Sequence, residues 1–289
     1  MIRFMPHDEP LSIGQCATLA CLLEATTPKP GNVHRGVDFE DMTFLDFAVS
    51  AAAIGPAMDS VREYGVGQTV LEAIRATRRL VPVNTNLGTV LLIAPLAAVP
   101  RDLPLPVGIS AVLKSLTAQD ARLVYEAIRV VNPGGLGKVD RLDVADEPPN
   151  DLLVAMQAAS GRDLVARQYG NDFEQVLQVV VLSLRRGQQV GWSLTDTVIH
   201  TQVTLLSEFS DSLIERKCGP DVARQVSANA AQVLAAGGPG DESYVEALSD
   251  LDFWLRTDGH RRNPGTTADL LAAGLFAALR EGLLQPPFR

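Results

Sequence analysis

Apolar residues recur every three or four positions along most of the chain, a spacing typical of amphipathic α-helices. In the first such segment, residues 11–26, Ile13, Cys16 and Ala20 follow this period, and Ser12 is suited to cap the N-terminus. No stretch of alternating apolar and polar residues and no Asn-Gly turn indicates a β-strand or hairpin. The pattern therefore predicts an all-α fold.

The same period predicts ten further helices. Their ranges are 43–64 (with a bend at Gly55-Pro56), 68–80, 87–99, 117–131, 151–160, 173–186, 193–215, 221–236, 243–257 and 266–281. We expect one compact domain over residues 1–289, with an N-terminal tail at about 1–10. Proline and polar residues predict exposed loops at 100–108 and 140–150. The most apolar segment, 87–99, is too short to cross a bilayer, which favours a buried helix.

Composition narrows the classes of partner. The 289 residues are 46% hydrophobic but only 5% aromatic, which suits closely packed helices rich in alanine, leucine and valine. The formal net charge of −9 argues against nucleic acid or an anionic membrane as partner. Three cysteines without metal-site spacing, and no apolar leader, predict a cytoplasmic protein with reduced thiols. The sequence is compatible with a monomer or a homo-oligomer.

One loop, residues 26–36, combines rigidity with positive charge. Two prolines restrict its backbone and two glycines allow it to turn sharply, so Lys29, His34 and Arg35 would be held in place with little conformational freedom. Glu24 precedes it in the last turn of a predicted helix, where the helix dipole disfavours a carboxylate. The loop is either a polar connector between helices or part of a site.

Other polar side chains also stand at helix ends. Asn84 and Asn86 precede the helix at 87–99, where they either cap it or help to present its N-terminus to an anion. Arg261 and Arg262 stand before the last helix, and Thr266 lies at its start, an arrangement suited to phosphate. A glycine-rich turn ending in Lys138 could also wrap a phosphate, although its spacing fits no established nucleotide motif.

Carboxylates are the commonest chemically useful groups near these junctions, whereas the four histidines lack metal-ligand spacing and no GxSxG motif occurs. Carboxylates converging from several helices hold divalent metals in all-α folds. We therefore expect Mg²⁺ as cofactor. The candidate carboxylates are Glu24, Asp38, Asp41, Asp211 and Asp269.

Taken in order, these segments resemble the triphosphoribosyl-dephospho-CoA synthase family. The resemblance runs from about residue 16 to 276, and the matching motifs are PKPGNVHR (28–35), DFEDM (38–42), NTNLG (84–88), NPGGLG (132–137), SDSLI (210–214) and NPGTTAD (263–269). It implies an all-helical enzyme that joins ATP to 3′-dephospho-CoA. Adenine leaves C1′ of the ATP ribose, and the 2′-hydroxyl of the acceptor takes its place.

The resemblance also implies roles for individual residues. One carboxylate would stabilise an oxocarbenium-like centre at C1′, and a second would accept the proton of the attacking hydroxyl. The catalytic candidates are Glu24, Asp38 and Asp41, and the metal candidates are Asp41, Asp211 and Asp269. The substrate- or phosphate-binding candidates are Lys29, His34, Arg35, Asn84, Asn86, Lys138, Arg261, Arg262 and Thr266.

The chain departs from the family at one position. Citrate-lyase-type members have a His-Lys pair after Asn-Thr, where this chain has Asn86-Leu87. The Gly-Asn-Val-His-Arg motif resembles a branch found in archaea and C1-metabolising bacteria, with a suspected link to methanopterin-type cofactors, so a related cofactor precursor is a second candidate acceptor. Two other functions are open: a Mg²⁺-dependent N-glycosidic hydrolase, and an inactive nucleotide-binding helical protein.

Overall fold

The computed structural model describes residues 10–131 and 147–288. Within these ranges the chain forms fourteen α-helices and one π-helical segment and contains no β-strand, which confirms the all-α prediction. The elements are α1 (Ile13–Thr26), α2 (Phe44–Asp59), α3 (Val61–Leu80), α4 (Leu87–Ala98), α5 (Leu105–Lys114), α6 (Ala118–Val131), α7 (Leu152–Ala159), α8 (Leu164–Gly170), the π-helical segment (Gln175–Val180), α9 (Val181–Val190), α10 (Leu194–Glu208), α11 (Ser212–Cys218), α12 (Pro220–Ala235), α13 (Glu242–Arg256) and α14 (Gly265–Arg280).

Reciprocal capping boxes fix where the first helices begin. Ser12 Oγ accepts a hydrogen bond from the Gln15 amide at 3.1 Å, and the Gln15 side chain accepts one from the Ser12 amide at 2.8 Å. Thr43 and Asp46 form the same arrangement at the start of α2. Each box satisfies two backbone donors that a helix start leaves unpaired.

Helix α14 lies at the centre of the fold. It packs against α1, α4 and the π-helical segment, and residues 270–280 are all buried. Small side chains permit this close packing, because a Cβ added at Gly274 would meet Val180 Cγ1 at 2.1 Å. A second apolar cluster joins α10, α11, α12 and α13 around Tyr244.

One loop prediction and one helix prediction need correction here, and one short helix was not predicted. Residues 105–108, part of the loop predicted to be exposed, instead form the start of α5, and Leu105 is fully buried. The proline in this segment does not prevent the helix, because proline is well tolerated in the first turn. The predicted helix at 193–215 is broken after Glu208, since Asp211 caps a new helix, α11. Helix α8 is too short for periodicity to reveal.

The predicted helix at 43–64 also differs. Helix α2 continues through Pro56 to Asp59, and the chain leaves helical geometry again at Gly65, where φ is 76°. The Asp59 carboxylate accepts a hydrogen bond from the Gly14 amide at 2.6 Å, which joins the end of α2 to the start of α1. No helix in the described ranges is long and apolar enough to span a membrane.

Candidate active site

A cavity of about 670 Å³ opens where several helix ends meet. It is lined by the last turn of α1, the start of α4, parts of α6, α7, α8 and α11, and residues 260, 263, 265, 266, 268 and 269. One part of the wall is apolar and includes Leu91, Tyr125, Leu152 and Met156. The volume and the mixture of apolar and polar walls are typical of a small-molecule site.

Glu24 contributes the first carboxylate to this cavity. Its side chain is only 10% exposed, and its Oε1 lies 2.9 Å from the ammonium nitrogen of Lys29. The ion pair offsets the unfavourable position of a carboxylate at the C-terminal end of α1. Glu24 is therefore a charge-compensated carboxylate that faces the cavity, in agreement with its predicted place in the site.

Asp269 contributes the second carboxylate from the start of α14. Its Oδ1 accepts a hydrogen bond of 2.7 Å from the Thr89 hydroxyl, and an added Cβ at Gly88 would meet Oδ2 at 2.0 Å. Only glycine at position 88 lets this carboxylate approach the first turn of α4. The pKa of Asp269 is raised to about 7, mainly by burial and also by the nearby carboxylates of Glu24 and Asp211, while the Thr89 hydrogen bond acts in the opposite direction.

The predicted residues Asn84, Asn86 and Thr266 all line the cavity. Asn84 Oδ1 accepts a hydrogen bond from the Leu87 amide at 3.2 Å, so Asn84 caps the start of α4. Asn86 Nδ2 donates to Thr77 Oγ1 at 3.0 Å, which fixes its orientation. Asn84 thus caps the helix, as one of the two alternatives predicted, and both asparagines border the cavity.

The basic side chains of the cavity are not the ones that the sequence singled out. They are Arg78, Arg162, Arg216 and Lys217. Arg216 Nη1 pairs with Asp163 Oδ2 at 2.5 Å, whereas the side chains of Arg162 and Lys217 form no hydrogen bond or ion pair with other described residues. Burial lowers the pKa of the Lys217 ammonium, and the Asp41 carboxylate acts in the opposite direction. Arg216 and Lys217 directly follow the Ser-Asp-Ser-Leu-Ile motif, so this motif does point to one part of the cavity wall.

Lys29 is not available to a phosphate, which corrects its predicted role. The residue is fully buried and absent from the cavity wall. Besides Glu24 Oε1, its ammonium donates to the backbone carbonyls of Glu24 and of Thr27, the latter at 3.3 Å. These three acceptors use all the donors that a lysine side chain has.

Four other predicted phosphate ligands also lie outside the cavity wall. His34 Nδ1 accepts a hydrogen bond from the Gly36 amide at 3.2 Å, burial lowers its pKa, and Arg35 is exposed. Arg261 pairs with Asp258 at 3.3 Å, and Arg262 stacks on Trp254 with its guanidinium carbon 4.2 Å from the ring centroid. Local contacts thus occupy the side chains of His34, Arg261 and Arg262. The predicted ligand Lys138 lies outside the described residues.

The predicted acidic residues also differ in whether they line the cavity. Asp41 lines the cavity, and its Oδ1 lies 3.5 Å from Nδ1 of His260, another cavity residue. Asp38 is exposed, lies outside the cavity wall, and accepts a hydrogen bond from the Phe44 amide at 2.7 Å. Its carboxylate thus helps to begin α2, and the structure does not bring it together with Glu24 and Asp41 in the cavity wall.

Asp211 is wrong as a metal ligand because its carboxylate is already satisfied. It is fully buried and accepts hydrogen bonds from the amides of Leu213, Ile214 and Thr267 and from the Thr267 hydroxyl, at 2.7–3.0 Å. The described ranges contain no group of three or more His, Cys, Asp or Glu side chains arranged to hold a metal ion. Asp41, Asp211 and Asp269 thus do not form the predicted metal site.

Two cavity carboxylates beside the capped start of a helix, with arginine and lysine side chains in the same wall, define an all-α enzyme site for an anionic small molecule. The family model described as ATP:dephospho-CoA triphosphoribosyl transferase matches residues 10–287, and the chain belongs to this family. The match confirms the resemblance inferred from the motifs and identifies an enzyme of the transferase class.

Two relatives and one solved structure agree with this assignment. A probable 2-(5″-triphosphoribosyl)-3′-dephosphocoenzyme-A synthase from Malonomonas rubra is 26% identical over 289 residues, covering 92% of this chain and 87% of that protein. A protein of the same name from Azotobacter vinelandii is 22% identical over 268 residues, covering 90% and 88%. The crystal structure of a triphosphoribosyl-dephospho-CoA synthase from Archaeoglobus fulgidus is similar with a TM-score of 0.62 and 29% identity, covering 83% of this chain and 99% of the other.

Proposed function

We propose that this enzyme transfers the triphosphoribosyl group of ATP to 3′-dephospho-CoA or a related cofactor precursor and releases adenine. The observation that carries the proposal is one cavity in which two carboxylates, Glu24 and Asp269, share a wall with Arg162, Arg216 and Lys217. Displacement at an anomeric carbon needs negative charge near the developing oxocarbenium ion, and a triphosphate needs cations.

The two carboxylates suit the two tasks of such a displacement. The C1′–N9 bond of ATP breaks, and the acceptor hydroxyl oxygen forms the new bond to C1′. Asp269 accepts the hydroxyl proton, and a proton taken up by adenine balances it, while Glu24 stabilises the positive charge at C1′. A pKa of Asp269 near 7 matches a group that gains and loses a proton at neutral pH.

The remaining substrate groups have counterparts in the same cavity. Arg162, Arg216 and Lys217 are placed to bind the triphosphate, and the apolar wall suits the less polar parts of the substrates. Mg²⁺ belongs to the proposal as an ion bound by the triphosphate of ATP, whose charge it would reduce; no group of described side chains suits it as a resident site. All three cysteines are free, which supports a reducing, cytoplasmic location.

The test is adenine release from ATP and Mg²⁺, measured with and without dephospho-CoA. We expect release only when dephospho-CoA is present, together with a product whose mass equals the acceptor plus the triphosphoribosyl group. Replacing dephospho-CoA with other ribosyl-bearing cofactor precursors in the same assay identifies a related acceptor.

The two alternatives give different results in that assay. A hydrolase releases adenine at the same rate whether or not an acceptor is present, and an inactive binding protein binds ATP without releasing adenine under any condition. None of the structural features described above favours either alternative over transfer.

A further inference from the structure

The loop at residues 28–32 is fixed by contacts with distant parts of the chain. The Gly31 amide donates to Asp252 Oδ1 at 2.7 Å, and the Gln202 side chain donates to the Pro30 carbonyl at 3.2 Å. A Cβ added at Gly31, where φ is +73°, would meet Leu255 at 2.9 Å. Glycine is thus required both by the conformation and by the packing.

Asn32, at the end of the same loop, is held from three directions. Its Oδ1 accepts from Gln202 at 2.7 Å, its Nδ2 donates to Asn263 at 2.6 Å, and its carbonyl accepts from Arg256 at 2.7 Å. Helices α10 and α13 and the segment before α14 therefore define the path of the loop. Such a rigid loop leaves Lys29 little freedom to move toward a substrate.

The ammonium of Lys29 is directed at Glu24 and away from solvent. It touches the Glu24 carboxylate at 2.9 Å and binds two carbonyls at the C-terminal end of α1, so it is surrounded by acceptors from one helix terminus. Glu24, in contrast, has one face on Lys29 and another on the cavity. Lys29 thus acts on the cavity only through Glu24.

We propose that Lys29 is a positioning residue: it holds the Glu24 carboxylate in a fixed position at the cavity wall and makes no contact with substrate. The proposal rests on the proposed function for the identity of the reaction. Without Lys29, Glu24 would carry an uncompensated charge next to Asp269, and repulsion between the two carboxylates would displace it.

The experiment separates ATP binding from turnover. In Lys29→Met we expect kcat for adenine release to fall about 100-fold, as for a reacting group displaced by about 1 Å, while KM for ATP stays within about threefold. Lys217→Met is the matched control, because it removes a cation that lines the cavity; here KM for ATP should rise about tenfold. A Lys29→Met variant whose KM rises like that of Lys217→Met would overturn the proposal.

A double variant covers the case in which Lys29→Met fails to fold. Glu24→Gln with Lys29→Met removes both charges together, and it should bind ATP, measured by calorimetry, within about threefold of the unmodified protein. Binding that is tenfold weaker would show that Lys29 contacts the nucleotide. This measurement needs no turnover, so it decides the question even if the unmodified protein releases no adenine.

Glu24→Asp tests position apart from charge. The shorter side chain keeps the carboxylate but withdraws it from the cavity wall by one methylene group, so we expect kcat to fall about 100-fold with unchanged ATP affinity. A Glu24→Asp variant with unaltered kcat would show that the exact placement of this carboxylate is unimportant and would refute the positioning role.

Discussion

At the scale of single residues, the two carboxylates assigned to the reaction, Glu24 and Asp269, differ in their partners. Glu24 has a buried ammonium at 2.9 Å, whereas the only side-chain hydrogen bond of Asp269 within the described ranges comes from the neutral hydroxyl of Thr89 at 2.7 Å. Unequal environments drive the protonation equilibria of paired carboxylates apart and give them different chemical roles. The contrast between a charged and a neutral partner is thus the basis for assigning the electrostatic role to Glu24 and the proton-accepting role to Asp269.

The pKa of Asp269 predicts how stability depends on pH. Because its folded-state pKa, about 7, lies above the ordinary value of 3.8, its contribution to stability is full below about pH 4 and is lost as the pH rises through 7. The Asp269→Asn variant keeps an acceptor for the Thr89 hydroxyl but has no carboxyl group to ionise, so its stability does not fall for this reason as the pH rises. We expect the variant to gain on the order of 2 kcal/mol relative to the unmodified protein between pH 4.5 and pH 8, a value reduced for solvent in the cavity.

Urea unfolding of both proteins at the two pH values measures this difference. Asp221→Ala is the control, because Asp221 is 91% exposed and its removal should change stability equally at both pH values. A gain for Asp269→Asn that does not depend on pH would show that Asp269 titrates in its ordinary range.

At the scale of elements, the start of α4 forms one border of the site. Asn84 caps it, Asn86 is tied to α3 through Thr77, and Thr89 donates to Asp269. Gly88 permits the contact between α4 and α14, at a position where any side chain would occupy the space of the Asp269 carboxylate. The Asn-Thr-Asn-Leu-Gly motif is therefore explained by packing between two helix starts as well as by chemistry.

This contact predicts the effect of Gly88→Ala. Alanine has the higher helix propensity, by about 1 kcal/mol, yet its Cβ would displace Asp269. We expect adenine release to fall about 100-fold while the helical circular dichroism signal is retained. Gly161→Ala is the control, since nothing lies within 4 Å of its added Cβ, and it should leave the rate unchanged. Full activity in Gly88→Ala would mean that Asp269 can move without consequence.

At the scale of the whole molecule, local periodicity predicted the helical class and most helix positions but not which polar side chains meet. The burial of Lys29 depends on its loop being held by α10 and α13, some 170 to 220 residues further along the chain. Arg162 and Lys217 lie in the cavity wall because of how α7, α8 and α11 pack together, and this packing cannot be read from the periodicity of the sequence. The motifs therefore marked several segments that line the cavity, whereas the basic side chains in its wall depend on the tertiary structure.

The overall charge predicts a dependence on salt. With a net charge of −9, the protein repels ATP except near Arg162, Arg216 and Lys217. Raising ionic strength from about 0.05 M to 0.5 M shortens the range of these attractions, so KM for ATP should rise about fivefold. In Lys217→Met, KM for ATP should depend less on ionic strength. In Lys114→Met, a change at an exposed position outside the cavity, KM should depend on ionic strength as strongly as in the unmodified protein. If KM for ATP changed with ionic strength equally in both variants, Lys217 would be excluded from ATP binding.

The central position of α14 has a consequence for synthesis of the protein. This helix is the last of the described helices, yet α1 and α4 both pack against it, and it carries Asp269 into the cavity. During translation, the apolar faces of α1 and α4 lack their partner until more than 160 further residues have been synthesised and α14 has left the ribosome. Nascent chains that lack α14 lack both a closed core and a complete site, so folding and catalytic competence are acquired together, once this helix has been synthesised.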